Sequence, residues 1–154
     1  MNKILITTDF SEASRSAFQA AIEQAQFRKL SGVEIDLVCV LEDLAPASVQ
    51  FEFGFTTFDT KSLLDEAEKH AKARLDKYAA EYFSEFTINK TVIRGTKPTA
   101  VELAEFAANR GTNLIVVASH GRTGLKRLAL GSVTESLLRE VSCPVLVVPC
   151  HRSK

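Results

Sequence analysis

The chain has 154 residues, with nineteen Lys and Arg offset by nineteen Asp and Glu, and three His. This length suits one domain that can bury most of the surface its unfolded chain exposes, and 45% hydrophobic with 25% charged residues is an ordinary globular composition. Charge balance excludes a strongly basic protein that coats nucleic acid and a polyacidic disordered one.

Residues 3–8 (KILITT) form a short apolar run ending before Asp9, and Ser11 is placed to cap a helix with the stripe Ala17, Phe18, Ala21, Ile22 and Ala25. Residues 33–41 predict a second strand. Over 61–83 the positions Leu64, Ala67, Ala71, Leu75, Tyr78 and Tyr82 keep helical spacing. Asp65–Lys69 and Glu68–Lys72 are candidate i,i+4 pairs on its outer face. Residues 86–93 predict a third strand, nearer an edge because Asn89 and Lys90 interrupt it. Thr99 and Glu102 suggest a capping box for the next helix. Residues 114–118 (LIVVA) are a wholly apolar strand, Ser132 and Glu135 suggest a second capping box opening a short helix to about Val141, and 144–148 (PVLVV) close the series. Apolar strands alternating with amphipathic helices predict a parallel α/β sheet covered on both faces. One domain is expected over 1–150, with 151–154 as a short tail.

The N-terminus lacks the apolar region and cleavage site of a secretory leader, and no run nears the ~18–20 apolar residues of a membrane helix. Three cysteines, at 39, 143 and 150, make no disulfide framework. The expected compartment is a reducing cytoplasm, with neither membrane nor nucleic acid as a partner. Cys150-His151 is a weak metal signal, and His70 falls on a polar helix face.

Two stretches break the charge balance. Residues 43–60 carry three acids, no base and four of the ten Phe (Phe51, Phe53, Phe55, Phe58), as core or dimer packing or as a flap over a ligand. Between Glu105 and Glu135 there is no acid, while Arg110, Arg122, Lys126 and Arg127 are present. Within that interval a strand ends at Ala118, Ser119-His120-Gly121 follow, and Gly131-Ser132 stand at a helix start. Glycines let backbone N–H groups approach a ligand, and a helix N-terminus favours an anion. The combination describes a phosphate pocket, or, on its blander reading, only a capped helix start. No P-loop or GxGxxG is present, so fast phosphoryl transfer is not expected.

This stretch, together with KILITTDFSEAS at the start, CVLE ending the second strand, RG before the third helix and CPVLVVP at the end, resembles the universal stress protein family over residues 1–149. The resemblance implies an open five-stranded parallel sheet, doubly wound and Rossmann-like, with strand order 3-2-1-4-5. Its switch point lies between strands one and four, where open α/β sheets bind ligands. It also implies ATP, or AMP or ADP, as ligand, with Thr7 and Asp9 beside ribose and phosphates and Asp9 available to Mg²⁺. Val40 would meet the adenine through its backbone, and Gly121, Gly131, Ser132 and Val133 would form the phosphate loop, flanked by Arg122 and Thr134. Ser119 and His120 fill the family's variable pair. Ala118 replaces the family's first glycine, and its methyl restricts positive φ. A homodimer pairing through the apolar strand 145–148 is expected. The resulting reading is an ATP-binding stress or signalling factor. The alternatives are a nucleotide-free interaction protein of the same fold and a slow ATP hydrolase.

Overall fold

Ile4, Leu5 and Ile6 are wholly shut from solvent because the first strand, β1 (Asn2–Thr7), has a parallel neighbour on each side and helices over both faces. The computed structural model describes residues 2–28, 32–42, 60–120 and 130–150. After β1 come α1 (Glu12–Arg28), β2 (Val33–Glu42), α2 (Thr60–Tyr82), β3 (Thr87–Gly95), α3 (Thr99–Arg110), β4 (Leu114–Ala118), α4 (Ser132–Glu140) and β5 (Val145–Val148). The sheet order is β3-β2-β1-β4-β5, and each of the four pairings is parallel. Among the described residues no helix is long and apolar enough to cross a membrane.

Alternate side chains of a strand face opposite sides of a sheet, and that alternation divides the core. Ile4, Ile6, Ile35, Leu37 and Val116 join Phe18 of α1 and Leu75 of α2 on one face. Leu5, Val38, Ile115 and Val117 join Leu103 of α3 and Leu137 of α4 on the other. Phe18 anchors the first cluster, with its ring centroid 5.3 Å from those of Tyr78, Tyr82 and Phe83. Such edge-on aromatic pairs add about 0.5–1.5 kcal/mol each beyond area burial. Cys39 is buried in this cluster, while Cys143 borders the second, where burial pushes its thiol pKa up.

Helix starts follow a different chemistry from the one expected. Ser11 caps α1 as predicted, its Oγ accepting the Ser14 N–H at 3.0 Å. The two capping boxes do not form. Pro98 occupies the cap of α3 and Gly131 that of α4, so Thr99 and Ser132 are already inside their helices. The Thr99 hydroxyl donates to Glu42, and Glu102 accepts the N–H groups of Thr96 and Lys97 at 2.8 and 3.0 Å. These two bonds hold the Glu102 carboxyl below its ordinary pKa. Glu135 turns outward to Arg139. At the other end of α3, Gly111 adopts φ +65°. The Thr112 and Gly111 N–H groups then return to the Ala107 and Ala108 carbonyls, the left-handed stop that glycine permits.

The edge strand β3 runs 87–95 rather than 86–93, and α2 ion-pairs to it. Arg94 of β3 takes Asp65 and Glu68, so the expected Asp65–Lys69 pair gives way to a tertiary one, while Glu68–Lys72 forms. His70 is exposed beside Glu66. A second group lies at the N-terminal end of the strands. Asp36 is completely buried, and Arg110, at the last turn of α3, reaches Asp36 at 2.9 Å and Glu34 at 2.6 Å. Asn89 donates to both carboxylates. Asn89 first, then Arg110, hold the Glu34 carboxyl below its ordinary value of 4.5.

A depressed carboxyl pKa contributes stability that is full above the unfolded value and is lost as pH falls through the folded one. Arg110→Met strands Asp36 as a buried charge with one fewer partner. The variant is expected to melt several degrees lower at neutral pH, with a smaller further loss on acidification through the carboxylate range. Thermal melts of both proteins across that range check this.

Candidate nucleotide site at the sheet switch point

Parallel register decides where the chain leaves the sheet. Pairing of β1 with β2 ends at Thr7↔Val38, whereas β2 and β3 remain paired through Glu42↔Gly95. Strand β4, on the other side of β1, ends at Ala118. The two central strands therefore stop short of β2 and β3, and a notch opens between the ends of β1 and β4, the point at which the connections reverse direction. Thr7 ends β1, and Asp9 follows two residues later.

The turn after β1 is built from short side chains. The Thr8 N–H continues to the Val38 carbonyl at 2.9 Å, and its buried hydroxyl meets Ser14 Oγ at 2.9 Å and accepts the Phe10 N–H at 3.0 Å. Asp9 Oδ1 accepts both the N–H of Ser11 at 2.9 Å and its hydroxyl at 2.6 Å, which fixes the carboxylate on the rim. Phe10 has φ +65°, a costly backbone conformation for a bulky side chain.

The end of β4 is a junction. The Ser119 N–H donates to Val148 O at 2.8 Å, and its carbonyl accepts the Gly131 N–H at 2.8 Å. Its Oγ accepts the Cys150 N–H at 3.2 Å and lies 3.0 Å from His120 Nδ1. The chain thus departs after His120 and returns at Gly131 to the residue it left. The Thr134 hydroxyl donates to the Ala118 carbonyl at 2.9 Å, strapping the first turn of α4 to the strand end. That hydroxyl is committed inside the protein, while Ser132 is exposed and Val133 half-buried. His120 Nε2 is buried and has no hydrogen-bond partner among the described residues. Phe10 is the one non-glycine residue with positive φ among the described residues, so Ala118 carries no such strain. Its methyl packs into the first core cluster.

Val40 lies on β2 past the end of its pairing with β1, half-buried against the second core cluster. A Cβ on Gly95 would lie 3.0 Å from Val40 Cγ1 and 3.3 Å from the Leu41 carbonyl. The RG step therefore leaves a side chain little room at Gly95. Gly121, Arg122, Lys126, Arg127, His151 and residues 43–59 of the Phe-rich stretch lie outside the described residues. Sequence reasoning missed two features. Cys150 packs on the start of α1, its Sγ 3.5 Å from the Ala13 carbonyl, and Arg74 of α2 sits over Phe10 with its guanidinium carbon 4.3 Å from the ring centroid. The helical spacing of Arg74 and Tyr78 was the available signal, because both reach Phe10 from one side of α2.

The universal stress protein family model matches residues 1–149. Universal stress protein MJ0531 of Methanocaldococcus jannaschii is 34% identical over 95% of this chain and 81% of its own length. The solved structure of MJ0577 superposes with a TM-score of 0.80 at 30% identity, covering 99% of this chain and 98% of that one. A universal stress protein in complex with cAMP shares the fold at a TM-score of 0.62 and 20% identity, covering 97% and 98% of the two chains.

Gly95→Val is expected to push Val40 out of register and cost about 1–3 kcal/mol, read as a lower urea midpoint with an unchanged slope.

Proposed function

The chain belongs to the universal stress protein family, and from that premise we propose that it binds an adenine nucleotide at the switch point, with ATP as the favoured member of the class. The observation that carries this reading is the 2.8 Å bond from the Gly131 N–H to the Ser119 carbonyl. It brings the first turn of α4 to the end of β4, across the notch from Asp9. Helix starts carry unpaired N–H groups and partial positive charge, which suit phosphate oxygens, and neither Ser132 nor Glu135 spends its side chain on a capping box. The buried His120 Nε2, without a partner among the described residues, adds a polar atom that a ligand can satisfy.

In this reading Ser132 and Val133 hold phosphate with Gly121, while Gly131, its N–H spent on Ser119, leaves room for the phosphate to approach and Thr134 contributes its N–H alone. Arg122 supplies positive charge. Thr7 and Asp9 face ribose, and the Val40 backbone meets the adenine edge. Ser119 and His120 form the floor, and Ala118 fits without a glycine because its φ is not positive. Among the described residues no three His, Cys, Asp or Glu side chains gather to hold a metal. Mg²⁺ would therefore arrive with the phosphates and take Asp9 as a single protein ligand. Relatives with cAMP and AMP bound make adenine nucleotides the class to test. The role is a nucleotide-responsive factor in a cytoplasmic stress response, with at most slow hydrolysis.

We also propose a homodimer through β5. The two sheet edges differ. β3 presents Lys90 and Arg94, both ion-paired to α2, the kind of charge that blunts an edge. β5 offers Val145, Leu146, Val147 and Val148, all half-buried, beside a helix whose Leu138 is 43% exposed. A second copy pairing there would cover both.

Calorimetric titration with ATP, AMP and cAMP tests the site. Saturable binding is expected, weakened at least tenfold by Asp9→Ala through the lost ribose or Mg²⁺ contact. No heat at millimolar nucleotide overturns the reading. For the dimer, sedimentation velocity at micromolar protein should give a two-chain species, and a strictly monomeric profile contradicts it.

A further inference from the structure

We propose that Arg74 is a positioning residue: by clamping Phe10 in its left-handed conformation it fixes the Asp9 carboxylate, and nucleotide affinity depends on that clamp. The inference rests on the adenine-nucleotide reading and adds to it a control point on α2, outside the notch.

The argument starts from strain. An L-residue at φ +65° brings its Cβ against its own carbonyl, and glycine or asparagine normally takes such a place. A phenylalanine persists there only when the surroundings over-determine it. Three contacts do so. The Phe10 N–H is held by Thr8 Oγ1 at 3.0 Å. Its carbonyl accepts Arg74 Nη2 at 3.1 Å. Its ring lies under the Arg74 guanidinium at 4.3 Å and against the Tyr78 ring at 5.9 Å. Arg74 and Tyr78 are four residues apart, hence on one face of α2, so a single helix supplies both the hydrogen bond and the stack. The flat fork of arginine makes both contacts at once.

The strained residue lies between Asp9 and Ser11. The peptide joining Phe10 to Ser11 carries the N–H that Asp9 Oδ1 accepts at 2.9 Å. Turning Phe10 back to negative φ rotates that peptide and withdraws the donor, and the Ser11 hydroxyl, 2.6 Å from the same oxygen, moves with it. The carboxylate then loses the two Ser11 donors that aim it. Thermodynamic reciprocity requires that a nucleotide which favours the fixed carboxylate also tightens the grip of α2 on the turn.

The test measures amide exchange at Ser11, the Asp9 carboxyl carbon resonance, the melting temperature and AMP affinity by calorimetry. Arg74→Ala should speed Ser11 exchange, shift the Asp9 resonance and weaken AMP about fivefold, with the melting temperature little changed. Arg74→Lys, which keeps a charge and a donor without the flat stack, should fall between. In a Phe10→Gly background, where the left-handed turn is unstrained, adding Arg74→Ala should weaken AMP no further. Wild-type Ser11 exchange or wild-type AMP affinity in Arg74→Ala overturns the proposal, as does an undiminished loss in the glycine background. If the unaltered protein binds none of ATP, AMP and cAMP, the proposed function falls, and Ser11 exchange alone then decides whether the clamp exists.

Discussion

Everything in this fold is arranged around a strand that has no exposed side. β1 is bonded to β2 on one flank and β4 on the other, and its three central side chains are fully buried between two pairs of helices. Burying such side chains is worth about 1.5–3 kcal/mol each, so the chain cannot release β1 from the middle without losing both clusters at once. Holding it there forces the later strands to the opposite flank from the earlier ones. The reversal leaves a gap in the helix cover at the C-terminal ends of β1 and β4. The notch is a consequence of the winding, and the side chains around it only refine it.

Those side chains divide into two sets. Thr8, Ser14, Ser119 and Thr134 turn their hydroxyls inward and spend them on the ends of strands and helices. They stiffen the rim by meeting backbone groups that would otherwise lie buried and unpaired. Ser132 and the first turn of α4 face the other way. Neighbouring residues of the same type are thus spent on stiffness or left exposed, distinguished only by which side of the backbone they occupy.

The sequence made the strands and the helical stripes legible because burial on both faces leaves an unbroken apolar run, as in LIVVA at 114–118, and burial on one face leaves a 3.6 period, as in α2. The helix starts were less legible. A Ser or Thr followed three residues later by Glu suggests a capping box, but Pro98 and Gly131 each took the cap one residue earlier and released Glu102 and Glu135 to other partners. Asp65 chose Arg94 over Lys69 because β3 lies within reach of α2, which helical spacing alone does not reveal. The resemblance names Asp9, Ala118–His120 and Gly131–Thr134 as candidate site residues, and the sheet brings the two strand ends that carry them together as the order 3-2-1-4-5 requires. The left-handed Phe10 left no trace, since nothing in its residue type announces such a backbone. Ala118 was the reverse case: the departure from glycine looked significant and proved conformationally neutral.

The buried Asp36 with Glu34, Asn89 and Arg110 sits at the N-terminal ends of the strands, and the notch sits at the C-terminal ends. Charge pairing that secures the fold and the polar groups around the notch therefore never compete for the same residues. A chain so divided can exchange side chains around its notch while the far end of the sheet keeps the molecule folded. Such a scaffold can diversify in what it recognises without first becoming more stable.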